Sequence, residues 1–227
     1  MSRKIIFHTD QYYHIFNRGT EKIPIFREKG DLYYFFDSII LANQIGLGNQ
    51  KRERDKTLER KKNKEIAKQS KKLVSIIAYC LLPNHFHLIL REEIEGGISK
   101  FMQKLGTSYT MYFNQKYERN GVLFQGKFKA THLDRGNALE FTSVYVNLNY
   151  KHHQINPEKS LIKSSLFEYL GTEKGESICN LEEIKKIVKN GFDGVENYKK
   201  YLKNQSKYFV EKHGNNPDTI NFEELEK

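Results

Sequence analysis

LVSIIAYCLLPNHFHLIL, residues 73–90, reads as a complete hairpin. Residues 73–82 are apolar and rich in β-branched side chains, which predicts a buried strand. Pro83-Asn84 is a turn signal, and HFHLILRE (85–92) predicts the returning strand. Successive strand side chains point to opposite faces, so residues two apart share a face. His85 and His87 therefore look one way, and Phe86 and Leu88 look the other. Two imidazoles about 7 Å apart at Cα can converge on one metal ion. The alternative is a pair of ordinary strand histidines satisfied by polar neighbours.

Outward from the hairpin, the remaining elements follow from periodicity. QYYHIFNR (11–18) predicts a strand that stops at Gly19. Residues 28–46 place apolar side chains at 32, 35, 36, 39 and 40, the spacing of a helix face. Ile98, Phe101, Met102, Leu105, Tyr109, Tyr112 and Phe113 form the apolar stripe of an amphipathic helix over 98–119. A strand or bent β-segment is predicted over 122–134 and a helix over 137–153. Three short helical pieces and a polar tail follow. The order β-α-β-β-α-β-α predicts an α+β fold, an antiparallel sheet with helices packed on one face, plus a helical C-terminal extension. The predicted division is a domain over 1–160 and an extension over 161–227.

Composition narrows the class. The chain has 227 residues, 38% hydrophobic and 13% aromatic, enough to bury a core. No apolar run approaches the roughly 18 residues of a membrane span. The N-terminal stretch lacks the apolar region of a signal peptide. Two cysteines, Cys80 and Cys179, make no disulfide framework, so a cytoplasmic location is expected. The net charge is +10, and residues 51–72 contribute +7 of it through eleven Lys/Arg against four Asp/Glu. A basic chain suggests a polyanionic partner. This segment lacks a strong apolar stripe, so it reads as an exposed helical or mobile insertion, about 49–72.

Several motifs now stand in order: YHIFNRG (13–19), AYCLLPNHFHLIL (78–90), FMQKLGTSYTMYFNQKY (101–117), GVLFQGKFKA (121–130) and YVNLN (145–149). Together they resemble the single-tyrosine HUH transposases, named for His-hydrophobe-His. NPEKSLIKSSLFEYLG (156–171) makes the layout most similar to the REP-associated tyrosine transposases. The resemblance covers about residues 10–171. It implies a ferredoxin-like HUH nuclease core that cleaves and rejoins single-stranded DNA at hairpins through a 5′-phosphotyrosine. It also implies a divalent metal, Mg²⁺ or Mn²⁺, although an imidazole pair taken alone points to zinc or another transition metal.

The residue-by-residue match puts the nucleophile at Tyr145 and the metal ligands at His85, His87 and Asn149. Asn149 lies one helical turn after Tyr145. Asn17 and Arg18 match the family's NRG beside the DNA-binding sheet, and Gln125, Lys127 and Lys129 are candidate DNA contacts. The family commonly follows this asparagine with proline. Here Tyr150 follows, then KHHQ before Asn156-Pro157, which leaves Tyr150 as a rival nucleophile. His132, His152, His153 and Cys80 are weaker metal-ligand candidates. The rival class is a domesticated protein that binds hairpin DNA without catalysis. A relaxase or replication initiator fits the small size poorly, and an RNA-binding sheet lacks its aromatic signature. Monomer and homodimer remain open, since both occur in the family.

Overall fold

The computed structural model describes residues 5–45, 71–156, 160–172 and 177–213, with side chains to Tyr208. Most of the basic insertion lies outside these residues. The strands are β1 (Tyr12–Arg18), β2 (Val74–Leu82), β3 (His85–Glu92), β4 (Lys129–His132) and β5 (Lys163–Ser164). They form one antiparallel sheet in the order β4-β1-β3-β2-β5. The helices are α1 (Lys29–Ala42), α2 (Gly97–Lys116), α3 (Ala138–Asn147), α4 (Asn149–His152), α5 (Leu166–Leu170), α6 (Leu181–Phe192) and α7 (Val195–His213).

Strand alternation sorts side chains into two cores. Tyr13, Ile15, Tyr79, Leu81, Phe86, Leu88 and Leu90 pack against α1 and α2. Those helices supply Leu32, Phe35, Ile39, Phe101, Leu105, Tyr109 and Phe113. Each such side chain, fully buried, contributes about 1.5–3 kcal/mol of transfer free energy. Ala78, Cys80, Leu82 and Ile89 face the other way and meet Val144 and Val146 of α3, Ile184, Ile187 and Val188 of α6, and Tyr198 of α7. Every residue of β2 is buried because both of its faces are covered. The register slips between Ile76 and Ala78, so Ile77 and Ala78 both join the second core.

The α+β sheet with α1 and α2 on one face is as expected. The C-terminal extension, with α3, covers the second face, and its β5 adds an edge strand beside β2. Two local readings need correction. The segment 122–134 is a strand only over Lys129–His132. Gly121 and Gly126 both take φ +87°, which breaks an extended run, and residues 121–128 form a loop instead. The helix predicted over 137–153 is two helices, interrupted at Leu148.

The hairpin tip is tied down from several sides. Leu82 pairs with His85 across Pro83-Asn84. The Pro83 carbonyl accepts from the backbone of Ile25 at 2.7 Å and Phe26 at 3.0 Å, and the Asn84 carbonyl accepts from Gly19 at 2.8 Å. Gly19 has to be glycine, because a Cβ there would run into the Ile23 carbonyl. On the α1–α2 side, Asp31 is buried and accepts from Lys116, Tyr112 and Tyr117. Burial would raise its carboxyl, but those hydrogen bonds outweigh it and hold the group below its ordinary range.

Candidate active site

The end of β1 and the turn side of β3 form the floor of a cleft of about 150 Å³. Arg18 pairs with His85, and Phe16 with His87. The loop 121–128 forms the wall. It docks through Gln125 N–H donating to the Arg18 carbonyl at 2.8 Å and Thr20 N–H donating to the Leu123 carbonyl at 2.9 Å. Asn17 donates to the Gly126 carbonyl at 3.2 Å, and its Oδ1 accepts from the Arg18 backbone at 2.9 Å. Asn17, Arg18, Gln125, Lys127 and Lys129 line the cleft together with His85 and His87. Lys127 and Lys129 are exposed. Three cationic side chains thus border two imidazoles, an arrangement suited to a phosphate backbone.

The histidine pair sits where alternation predicts, on the face opposite Phe86 and Leu88. Asn84 Nδ2 donates to the Lys22 carbonyl at 3.3 Å, which turns Asn84 Oδ1 toward His85 Nδ1 at 2.7 Å. A neutral His85 therefore carries its proton on Nδ1, an assignment that follows from the hydrogen-bond network. Its Nε2 lone pair faces Asn149 Oδ1 at 3.2 Å. Two electron-pair donors facing each other in this way could share a cation.

Burial lowers the His85 pKa to about 3, with His153 adding to the effect and the Asn149 contact opposing it. Burial, and then the neighbouring His14, hold His87 well below its ordinary value. Both rings are thus neutral at physiological pH, as metal ligation requires. Among the described residues, no group of three or more His, Cys, Asp and Glu side chains is arranged to hold a metal ion. The oxygen beside the pair is the Asn149 amide. Cys80 pairs with His87 across β2–β3, and burial pushes its thiol up to about 12.

Tyr145 packs edge-on against His87, with ring centroids 5.7 Å apart, and against His14 at 5.9 Å. It is only 8% exposed. Burial raises its phenol pKa, while the Asn149 side chain pulls the other way. Tyr150 is half-buried beside Cys80 on the β2 side. The break at Leu148 lies between the two tyrosines, so the rotation of a regular helix does not by itself separate them.

Three further residues belong to this neighbourhood. His14 reaches His87 directly: His14 Nε2 and His87 Nδ1 are 2.9 Å apart. The signal for it lies in YYHIFNR, where alternation puts His14 and Phe16 opposite Tyr13 and Ile15. His153 lines the cleft, with its ring edge-on to His85 at 4.6 Å. His152 is buried, edge-on to Tyr145 at 5.5 Å. His132 lies on β4 beside Gln11 and Asp134, apart from this cluster.

Residues 48–149 match the family model described as IS200-like transposase. That segment contains His85, His87, Tyr145 and Asn149, while β1 lies before it. No curated protein matches the chain. Among solved structures, the chain is similar to a REP-associated tyrosine transposase bound to a REP hairpin. The TM-score is 0.49 and the identity 11%, over 79% of this chain and 94% of that one.

Proposed function

We propose that this chain, which belongs to the IS200-like transposase family through residues 48–149, is a metal-dependent transposase. In this reading it cleaves and rejoins single-stranded DNA at hairpin-containing sites. The observation that carries the reading is a convergence: Tyr145 and Asn149 meet His85 and His87, and those two histidines line a cleft bordered by Arg18, Lys127 and Lys129.

The chain's own residues divide the work. Arg18, Lys127 and Lys129 hold the DNA backbone as positioning cations, with Asn17 and Gln125 as polar contacts. Tyr145 Oη attacks the scissile phosphorus. The Oη–P bond forms and the bond from phosphorus to the 3′ oxygen breaks. The phenol proton is lost and the departing 3′ oxygen gains one. The product is a 5′-phosphotyrosine and a free 3′-OH, and attack by a 3′-OH reverses the step. A phenol buried among histidines is a weak nucleophile at neutral pH. A divalent cation, Mg²⁺ or Mn²⁺, held by His85, His87 and Asn149 would polarise the phosphate and orient it for in-line attack. The nitrogen ligands favour Mn²⁺ of the two.

Residues 1–160 are the catalytic domain in this reading, and 161–227 are an extension. The acting form is a monomer or a homodimer, in the cytoplasm. Among the described residues no helix is long and apolar enough to cross a membrane.

The test is incubation with a labelled library of single-stranded hairpin DNA and Mn²⁺, reading covalent protein–DNA adduct and the sequence at its junction. An adduct that requires Mn²⁺ and is lost in His85→Ala and His87→Ala is expected. Tight hairpin binding with no adduct under any divalent metal would instead make the protein a hairpin-binding module without catalysis.

A further inference from the structure

The two central histidines are held in the same way. His85 is gripped at Nδ1 by the Asn84 amide oxygen at 2.7 Å. His87 is gripped at Nδ1 by a second imidazole, His14 Nε2, at 2.9 Å. Both members of this pair are buried, His14 at 7% exposed and His87 at 1%. Their rings lie nearly parallel, 17° apart with centroids at 5.1 Å, and Phe16 packs along His87 at 5.7 Å. These neighbours leave His87 little freedom to turn. A neutral imidazole carries one N–H, so a contact between two ring nitrogens has one donor and one acceptor. The proton between the rings therefore decides which His87 nitrogen keeps a lone pair.

We propose that His14 is a positioning residue that accepts the Nδ1 proton of His87, leaving His87 Nε2 as the lone pair offered to the cation. The inference rests on the metal-site reading above and adds a device to it. The direction follows from the parallel with His85, whose Nδ1 proton is fixed by an oxygen that can only accept. With His14 as acceptor, both histidines present Nε2, and both are braced from behind on Nδ1. This is the kind of support that orients metal-binding imidazoles, and its loss typically costs about 10–100-fold in metal affinity. Since β1 lies before the matched segment, this brace comes from a strand that the family match does not include.

The test begins on the metal-free protein at pH 7, with ¹⁵N NMR of the histidine rings. His87 is expected as the Nδ1–H tautomer in the wild type. In His14→Phe, which keeps a ring but removes the acceptor, His87 should shift toward Nε2–H. In His14→Gln, whose amide oxygen can accept, it should stay Nδ1–H. Mn²⁺ titration followed by electron paramagnetic resonance should then show about 10–100-fold weaker binding in His14→Phe and near-complete rescue in His14→Gln. Wild-type His87 found as Nε2–H overturns the inference, and does so even if His14→Phe fails to fold. An unchanged tautomer and unchanged Mn²⁺ affinity in folded His14→Phe overturn it equally. Wild-type Mn²⁺ uptake indifferent to His87→Ala would overturn the metal reading itself, a separate failure from a wrong tautomer, which is read without metal.

Discussion

The two faces of the sheet are built from the same strands and differ in what they do with them. Toward α1 and α2, β1 and β3 present Tyr13, Ile15, Phe86, Leu88 and Leu90, all within 2% of full burial. Toward α3 and α4, the same two strands present His14, His85 and His87, with Phe16 packed among the rings and Ile89 carrying the apolar pattern into the second core. The first face can be covered fully by hydrocarbon. The second is closed by hydrocarbon only over β2, and its β1–β3 part is filled with imidazoles that satisfy one another or face an amide. A polar cluster buried in this way costs stability unless each group is partnered. The difference separates a face that holds the fold together from one that gathers the candidate site, although a single strand feeds both.

The largest expected effect lies on the site face. Tyr145→Phe removes one oxygen and keeps the ring, so covalent adduct formation should be abolished while hairpin affinity is retained. The cost in stability should stay near 1 kcal/mol, the scale of one hydrogen bond. Peptide mapping of trapped adduct from the wild type should locate the DNA on Tyr145. Phe86→Ala makes the opposite change one residue away from His85 and His87. It should cost about 3–5 kcal/mol in denaturant unfolding through cavity formation. Adduct chemistry should survive in whatever fraction stays folded. If Phe86→Ala spared stability and removed chemistry, the division of labour between the faces would be wrong.

Acid should also distinguish the faces. Burial lowers His14 to about 4 and His85 to about 3, against an ordinary value of 6.5. The unfolded chain therefore binds more protons than the folded one in the interval between. The stability these neutral rings contribute is complete above pH 6.5 and is lost as the pH falls toward 4. The slope approaches about 1.4 kcal/mol per pH unit for each ring. On the opposite face Asp31 is held below its ordinary 3.8, so its contribution persists to about that pH and is lost only below it. Urea unfolding between pH 7 and 4 measures this. A stability flat across that range would contradict a neutral buried histidine cluster.

The smallest effect expected is that of Tyr150→Phe. Tyr150 lies beside Cys80, away from the contacts that Tyr145 makes with His87 and His14. Adduct yield should be unchanged within about twofold, since the substitution keeps the ring and removes a hydroxyl that lies beside Cys80 rather than His85 or His87. A DNA linkage mapped to Tyr150 would mean that the break at Leu148 has re-aimed the helix end.

Much of this was open to reading from residue pattern, because alternation and helical periodicity are local rules. The hairpin over 73–92, the common face of His85 and His87, the apolar stripe of α2 and the α+β class all follow from spacing of two or 3.6 residues. Gln125, Lys127 and Lys129 were visible as residue types but not as neighbours of Arg18. The loop that brings them there depends on two glycines at positive φ and on backbone hydrogen bonds to a strand about a hundred residues earlier. The break at Leu148 was also hidden, since the residues around it carry neither proline nor glycine and their periodicity predicts one helix.

Away from the bulge that puts Ile77 and Ala78 into one core, the sequence by itself determined which strand side chains share a face, since pleating is a property of the backbone and needs no partner. Only the tertiary structure decided which faces meet. His14 and His87 lie 73 residues apart, and their 2.9 Å contact exists because β1 pairs with β3 in one particular register. A slip of one residue would turn His14 into the opposite core and remove the acceptor behind His87. That register is fixed by the sum of Tyr13, Ile15, Phe86 and Leu88 burying their side chains against α1 and α2. The apolar face therefore sets the alignment that the imidazoles on the other face require.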